Sequence, residues 1–409
     1  MIAKPTQYIG PRAIFDPCFI PPQLLFRKKE EYSLFSLLRD SLSDNYNINV
    51  IFQGIHGIGK KVFVQKVVAD SIDACKEDSF VRKLCVDCKE KNLEDIILSI
   101  LGQILEILGL TFDLKAILES TPSRLWTLFK LACKKLSDTI IIILNNIEHL
   151  EPESYKKLLS STKELNISIV STVNKILRPS TIDILPEFDY KKKLRFFSYN
   201  ELNAILKQRA SLTFKNEIDK DVIDFITDFT FEHHVPVPGK GIAVFRECYP
   251  FLRERSTIDL FEMLDVCRSQ FDSFGMTDDF GMLAYLSEED ILTIIFLDNL
   301  TDYFLKKGKF YISSGELRAL YDVACESLQY KKSDAEYDSL VKKFANMGII
   351  STSRNVNQNS HADSSISSSL SLGMERQLRS KRILNNNSYF MIICPNQLKS
   401  IVDVVFGHL

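Results

Sequence analysis

The chain has 409 residues, of which 45% are hydrophobic, and its 51 basic and 53 acidic residues leave a net charge of −2. This is the composition of a globular protein, and the length is sufficient for two or three domains. The near-zero charge excludes a chain that binds nucleic acid through its overall charge, so any nucleic-acid site must be a local basic patch.

The N-terminal segment and the cysteines predict a cytoplasmic protein without a membrane partner. The segment MIAKPTQYIG lacks the basic start and apolar core of a signal peptide. No apolar run approaches the roughly 20 residues that a membrane-spanning helix requires. Nine cysteines without a secretory signal are expected to be reduced thiols. Cys85 and Cys88 form a C-x-x-C pair, but no second pair follows at zinc spacing, so no metal site is predicted.

Residues 1–196 alternate short apolar runs with helical periods, which is the pattern of a parallel sheet flanked by helices. The predicted strands are INVIFQG, SFVRKLCVDC, TIIIILNNIEHL and NISIVSTVN. Helices are predicted for KKVFVQKVVADSI after the first strand and for LEDIILSILGQILEILG after the second. The unbroken β-branched run of the third strand fits burial on both faces of an α/β sheet.

Two further parts follow this core. Residues 197–275 contain helical segments such as SYNELNAILKQRASLTF and predict a helical lid. Residues 276–409 give three helices followed by the strands IISTS and YFMIICP, which is the order of a winged helix-turn-helix. Nine serines fall between Ser351 and Ser371, so a disordered insert is predicted over about 351–388, where the wing would turn.

The segment FQGIHGIGKKVFVQKVV contains a candidate phosphate loop. Gly54, Gly59 and Lys60 fit G-x-x-x-x-G-K, with a third glycine at Gly57, and the motif lies between a predicted strand and a predicted helix. Glycines allow backbone N–H groups to face phosphate oxygens at a helix N-terminus, and Lys60 would reach the terminal phosphates. The strand and helix on either side favour this interpretation over a glycine-rich turn of no function.

The residues that would hold magnesium are missing from this pattern. Lys61 occupies the position of the usual Ser or Thr hydroxyl, and a lysine repels a cation. Asn145 and Asn146 follow the third strand where paired acids would hold the metal or accept a proton from water. The sequence therefore predicts binding of ATP or ADP without magnesium ligands, and little or no hydrolysis.

With these motifs the chain resembles the archaeal origin-recognition and cell-division-control group of replication initiators, which are AAA+ proteins with a C-terminal winged helix. The similarity extends from about Pro17 to the end of the chain. Its most specific part is FFSYNELNAILKQRASLTF, which is similar to the opening of the family's helical lid; LNNIEHL is similar to the acid-bearing segment after the third strand. The resemblance implies a nucleotide between core and lid, Arg27 near the base, and Asn174 as the polar sensor of the terminal phosphate.

Departures from the family pattern affect the lid and the DNA-binding face. Ile242 occupies the position of the lid's sensor arginine, with Arg246 one turn later. The third helix of the winged domain begins with the acidic SDAEYDSL, which opposes contact with phosphate. Wing arginines can nevertheless enter a narrow minor groove. The candidate DNA-binding residues are Lys331, Lys332, Arg376, Arg379, Lys381 and Arg382.

We therefore expect an initiator-like protein that is nucleoid-associated, binds nucleotide and DNA, and by resemblance contacts the replicative helicase or other initiator subunits. Two alternatives remain open. The chain could be a non-hydrolysing interaction module whose winged helix binds protein, or a nucleotide-switched winged-helix transcription regulator.

Overall fold

The structure is a computed structural model and describes residues 8–75, 80–110, 121–136, 138–163, 165–174, 185–233, 235–270, 286, 289–353 and 388–408. The chain forms two compact units. The core unit comprises Asp16–Phe197 and Val237–Gly239, and the C-terminal unit comprises Met1–Phe15, Ser198–Pro236 and Lys240–Leu409.

A five-stranded parallel sheet in the order β2-β3-β4-β1-β5 organises the core unit. The strands are β1 Asn49–Gln53, β2 Val81–Asp87, β3 Thr139–Asn145, β4 Ile167–Val173 and β5 Tyr190–Lys193. Strands β3 and β4 are buried almost throughout, as expected for a parallel sheet covered on both faces. Because all strands run in the same direction, the ends of β1, β3 and β4 lie at one edge of the sheet, where ligands of open α/β sheets bind.

Within the described residues, five helices of eight or more residues accompany this sheet. They are α2 Lys28–Ser43, α3 Lys60–Ala74, α4 Leu93–Ile107, α5 Pro122–Leu136 and α6 Pro152–Lys163. Helix α4 shows why these segments are helical: Asn92 and Asp95 form a reciprocal capping box at its start, and its apolar stripe is buried. Two short 3₁₀ turns, Ile147–His149 and Leu185–Glu187, lie in the loops.

The C-terminal unit is mainly helical. Its first helices are α1 Arg12–Phe15, α7 Tyr199–Thr213, α8 Lys220–His233, α9 Pro238–Leu252 and α10 Leu260–Gln270, and the first two residues of α9 group with the core unit. Helix α7 begins with a capping box between Ser198 and Glu201, which accounts for the polar step that precedes it in the sequence.

The end of the C-terminal unit has the element order of a winged helix. Helices α11 Ile291–Lys307, α12 Ser314–Ser327 and α13 Asp334–Asn346 accompany strands β6 Ile312–Ser313, β7 Ile350–Thr352 and β8 Ser388–Met391, followed by α14 Pro395–His408. The strands form an antiparallel sheet in the order β6-β8-β7. The described elements agree with the predicted α/β core, helical lid and winged helix.

Five of the described elements were absent from the sequence prediction: β5, α1, α6, α10 and α14. Strand β5 reads YKKK and is mostly exposed, so it lacks the apolar signal by which the other core strands were recognised. The described helices include none that combines the length and apolarity of a membrane span. The predicted serine-rich insert falls almost entirely on 354–387, outside the described residues.

Candidate nucleotide site

Residues 54–59 connect β1 to α3 and form the glycine-rich loop. Gly57 and Gly59 have φ angles of +79° and +96°, in the left-handed region that favours glycine. A Cβ atom added at Gly59 would meet no atom within 4 Å, so the space there is open. Gly59 is also the N-cap of α3 and provides no side-chain cap, which leaves backbone N–H groups of the first turn oriented for an anion.

Lys60 begins α3, and its ammonium group lies within this loop. The residue is 7% exposed. Its Nζ donates to the carbonyl oxygens of Gly54 (2.7 Å) and Ile55 (3.0 Å) and to Asn174 Oδ1 (2.7 Å). Burial lowers the pKa of Lys60 to about 8, and the nearby Glu148 carboxylate acts in the opposite direction. All three acceptors are neutral oxygens, which a phosphate group could replace with a gain in electrostatic attraction.

Asn174 follows β4 and links the loop to a carboxylate that the sequence analysis did not identify. Its Nδ2 donates to Glu148 Oε1, and its backbone N–H donates to Glu148 Oε2 (3.2 Å). Glu148 lies in the 3₁₀ turn Ile147–His149 after β3. The signal in the sequence was a carboxylate inside LNNIEHL, two residues beyond the predicted acid positions. Because β4 lies between β1 and β3, it brings Lys60, Asn174 and Glu148 together.

Asn145 and Asn146 are engaged at the neighbouring strand ends. Asn145 is 2% exposed, and its Oδ1 accepts from Thr172 Oγ1 (3.1 Å). Asn146 has a φ of +59°, and its Nδ2 donates to Asp87 Oδ1 (2.8 Å). Neither amide brings a charge that could hold a metal ion. In the part of the chain that the structure describes, no group of three or more His, Cys, Asp or Glu side chains is arranged for metal binding.

The segment Val237–Gly239 covers one side of the phosphate loop. The Gly239 N–H donates to the Gly57 carbonyl oxygen (3.1 Å). A Cβ atom at Gly239 would lie 2.7 Å from Gly57 Cα, and one at Gly57 would lie 3.3 Å from Val237 Cγ2. Only glycine at position 239 allows this close approach of two backbones. No local feature of the sequence indicated this contact, because the two segments are far apart along the chain.

Arg27 is buried in the core unit, at the N-cap of α2. Its guanidinium lies 4.2 Å from the centre of the Phe197 ring. It donates to the Arg195 carbonyl oxygen (2.8 Å) and pairs with Glu30 at 3.5 Å. These contacts fix the segment before α2 against the residues that follow β5. The proposed place of Arg27 beside a nucleotide base remains a prediction.

Two arginines of the lid, Arg209 and Arg246, contact the carbonyl end of α1 in the C-terminal unit. Arg209 donates to the Ala13 carbonyl oxygen (2.8 Å). Arg246 donates to the Ile14 carbonyl oxygen through Nε (3.3 Å) and Nη2 (3.0 Å). The last carbonyl groups of a helix lack intrahelical partners, so both arginines satisfy groups that would otherwise be unpaired. Arg246, which lies one turn after the position of the lid's sensor arginine, therefore holds α1 in place.

One of the predicted DNA-binding lysines is paired with acids in the winged helix. Lys332 lies 2.7 Å from Glu326 Oε1 and 3.7 Å from Asp322 Oδ2. Lys331 is exposed. The four wing residues Arg376, Arg379, Lys381 and Arg382 lie outside the described residues.

The acidic start of α13 is also partly neutralised within the domain. Arg318 pairs with Asp334 at 2.7 Å and with Asp322 at 3.4 Å. Its guanidinium lies 4.7 Å from the centre of the Tyr337 ring, so it joins α12 to α13. Repulsion between this helix start and phosphate is thus smaller than the sequence alone suggested.

The residues at this edge of the core sheet suit the phosphates of ATP or ADP. The two left-handed glycines, the open space at Gly59 and the neutral partners of Lys60 fit a phosphate chain. A magnesium ion does not fit as well, because Lys61 occupies the position of its hydroxyl ligand and Asn145 and Asn146 occupy the positions of its acids.

The chain is similar to known proteins in its structure. No protein-family model matches the sequence, and no curated protein matches it. Among solved structures, Cdc6p from Pyrobaculum aerophilum has 15% identity and a TM-score of 0.70, covering 98% of this chain and 99% of that one. The Aeropyrum pernix ORC2 protein in ADPNP and ADP complexes has 15% identity and a TM-score of 0.54, covering 98% of each chain.

The Aeropyrum pernix ORC1 protein in complex with DNA has 14% identity and a TM-score of 0.53, again covering 98% of each chain. At such identity these similarities establish the fold. Each similarity extends over nearly the whole length of this chain and of the compared chain, so it includes the sheet, the lid and the winged helix. The chain therefore has the fold of the Cdc6 and origin-recognition AAA+ initiators.

Proposed function

We propose that this chain is an initiator-type AAA+ protein that binds ATP or ADP and DNA and hydrolyses ATP slowly or not at all. One observation carries the proposal: a glycine-rich phosphate loop, with Lys60 at its end, lies within an initiator fold that extends over almost the entire chain. Backbone N–H groups and a lysine are the groups by which such loops bind phosphate.

The absence of magnesium ligands among these residues supports loss of turnover. A metal ion in such sites bridges the phosphate oxygens and neutralises charge that develops during phosphoryl transfer. Lys61, Asn145 and Asn146 supply neither a hydroxyl ligand nor a carboxylate for that ion. The Glu148 carboxylate is bonded to Asn174, so its use as a base would require that contact to open.

Partners are proposed from the structural neighbours. The Aeropyrum pernix proteins were solved with ADP and ADPNP and with DNA. By analogy we propose DNA, other initiator subunits and the replicative helicase as partners of this chain, in the cytoplasm and associated with the nucleoid. Contact with DNA would use Lys331 and the basic run around Arg379, with no sequence-specific base reading.

A second candidate function is an interaction module whose winged helix binds protein. The pairing of Lys332 with Glu326 and Asp322 favours it, because that lysine is already neutralised. The two candidates differ in whether the purified protein shifts a DNA duplex.

The test is to denature the purified full chain and to chromatograph what it releases, beside a Lys60→Ala variant. Nucleotide in a near-stoichiometric amount that is lost in the variant supports the proposal. Nucleotide-free protein that also fails to take up added ADP or ATP and to shift DNA would support the interaction module. Magnesium-dependent hydrolysis abolished by Lys60→Ala would contradict the proposed loss of turnover.

A further inference from the structure

The side-chain amide of Asn174 lies between the ammonium of Lys60 and the carboxylate of Glu148. Glu148 accepts from both the side-chain Nδ2 and the backbone N–H of Asn174, the latter at 3.2 Å. The same Asn174 side chain accepts from Lys60 through Oδ1 at 2.7 Å. A chain of hydrogen bonds therefore runs from the phosphate loop through Asn174 to the Glu148 carboxylate.

These hydrogen bonds occupy N–H donors of Asn174 that could otherwise bind a third phosphate. The lysine of a phosphate loop reaches the terminal phosphates of the nucleotide. Asn174 accepts a hydrogen bond from that lysine, so it lies beside the position of the terminal phosphate. Its backbone N–H and one hydrogen of its Nδ2 already donate to Glu148. A terminal phosphate that took either of these two hydrogen bonds would displace the carboxylate, and one that accepted from the second hydrogen of Nδ2 would lie beside it.

Charge acts in the same direction. A carboxylate and a terminal phosphate are both negative, and their repulsion is strong where water is partly excluded. Magnesium would normally screen such charges, but Asn145 and Asn146 are neutral. Lys61 adds a positive charge at the start of α3 that attracts a diphosphate and a triphosphate alike. It therefore does not offset the repulsion between Glu148 and a third phosphate.

We propose that Glu148 makes this site selective for a nucleoside diphosphate over a nucleoside triphosphate. The inference rests on the proposed function, because it requires that the loop binds nucleotide. Glu148 accepts two of the hydrogen bonds that Asn174 could donate to a third phosphate. A diphosphate requires only Lys60 to change its hydrogen-bond partners. A triphosphate must in addition either displace Glu148 from Asn174 or place its terminal phosphate beside the Glu148 carboxylate.

The test is isothermal titration calorimetry of the full chain with ADP and with ATP in buffer containing EDTA. Glu148→Gln removes the charge and keeps the size of the side chain. Glu153→Gln is the matched control, since it removes a carboxylate of α6 that is 85% exposed. We expect the unchanged protein to bind ADP about tenfold more tightly than ATP, and Glu148→Gln to reduce that ratio about fivefold through tighter binding of ATP.

The control Glu153→Gln should leave the ratio of ADP affinity to ATP affinity unchanged. Glu148→Ala should reduce this ratio as Glu148→Gln does, and it replaces Glu148→Gln if that variant fails to fold. Equal or tighter binding of ATP by the unchanged protein overturns the selectivity, as does a ratio that the Glu148 variants leave unaltered; nucleotide binding itself is then unaffected. Binding of neither nucleotide, or binding that Lys60→Ala does not weaken, overturns the proposed function together with this inference.

Discussion

The phosphate loop and the turn before α13 both hold a lysine in hydrogen bonds, but the partners differ in charge. Lys60 donates to two backbone carbonyl groups and an amide oxygen, whereas Lys332 contacts the carboxylates of Glu326 and Asp322. A phosphate oxygen that replaces a neutral acceptor gains electrostatic energy, and one that replaces a carboxylate gains little. The charge of the existing partner therefore determines how readily each lysine binds an anion.

The largest effect is expected from removing the lysine with neutral partners. Lys60→Ala should weaken ADP binding roughly 10- to 100-fold, since a hydrogen bond to a charged group contributes about 1.5–3 kcal/mol. Isothermal titration calorimetry would measure it. The control is Lys66→Ala on the same helix, where the lysine pairs with Asp70 at 2.7 Å. Equal losses in the two variants would mean that only the net charge matters.

The backbone part of the loop can be tested separately at Gly59. Gly59→Ala places a Cβ at a φ of +96°, which should destabilise the loop by about 1–2 kcal/mol and weaken ADP binding accordingly. Gly102→Ala lies within helix α4 and meets no neighbouring atom; it should instead raise the free energy of unfolding by about 0.5–1 kcal/mol. Urea denaturation and ADP titration of both variants would show whether the two substitutions differ in sign.

The pH dependence of ADP binding should follow the lowered pKa of Lys60, which is about 8. Below that value the ammonium is charged and available to phosphate; above it the lysine loses its proton before binding, so affinity falls by up to about tenfold per pH unit. Titrations between pH 7 and 9 should show this decline in the unchanged protein and not in Lys60→Ala. An affinity that stays constant over this range would mean that Lys60 keeps its proton.

The smallest effect is expected at the winged helix. Glu326→Gln should remove the nearer of the two carboxylate charges beside Lys332 and strengthen binding of a DNA duplex a few-fold, with the salt dependence steeper by up to about one phosphate contact. Fluorescence anisotropy at two salt concentrations would measure it. Glu254→Gln is the control, because it removes an exposed carboxylate that also pairs with a basic residue, Arg253 at 3.2 Å. The same gain in both variants would indicate a general charge effect.

The sequence by itself determined the elements whose signal is local. The apolar run of β3, the glycines and lysine of the phosphate loop, and the three helices of the winged domain each follow from residues within one short segment. Hydrophobic periodicity and glycine spacing report such segments directly, because backbone geometry and burial act over a few residues. The resemblance to initiators rested on the same short segments, and the fold that it implied is the fold observed.

The tertiary structure decided which distant side chains meet. Glu148 bonds to Asn174 because β4 lies beside β3, and Gly239 contacts Gly57 although about 180 residues separate them in the sequence. The pairing of Arg246 with the end of α1 is likewise a contact between distant segments. Spacing along the chain carries no information about such pairs. They depend on the order of strands in the sheet and on which buried polar groups require a partner, and both are properties of the folded chain.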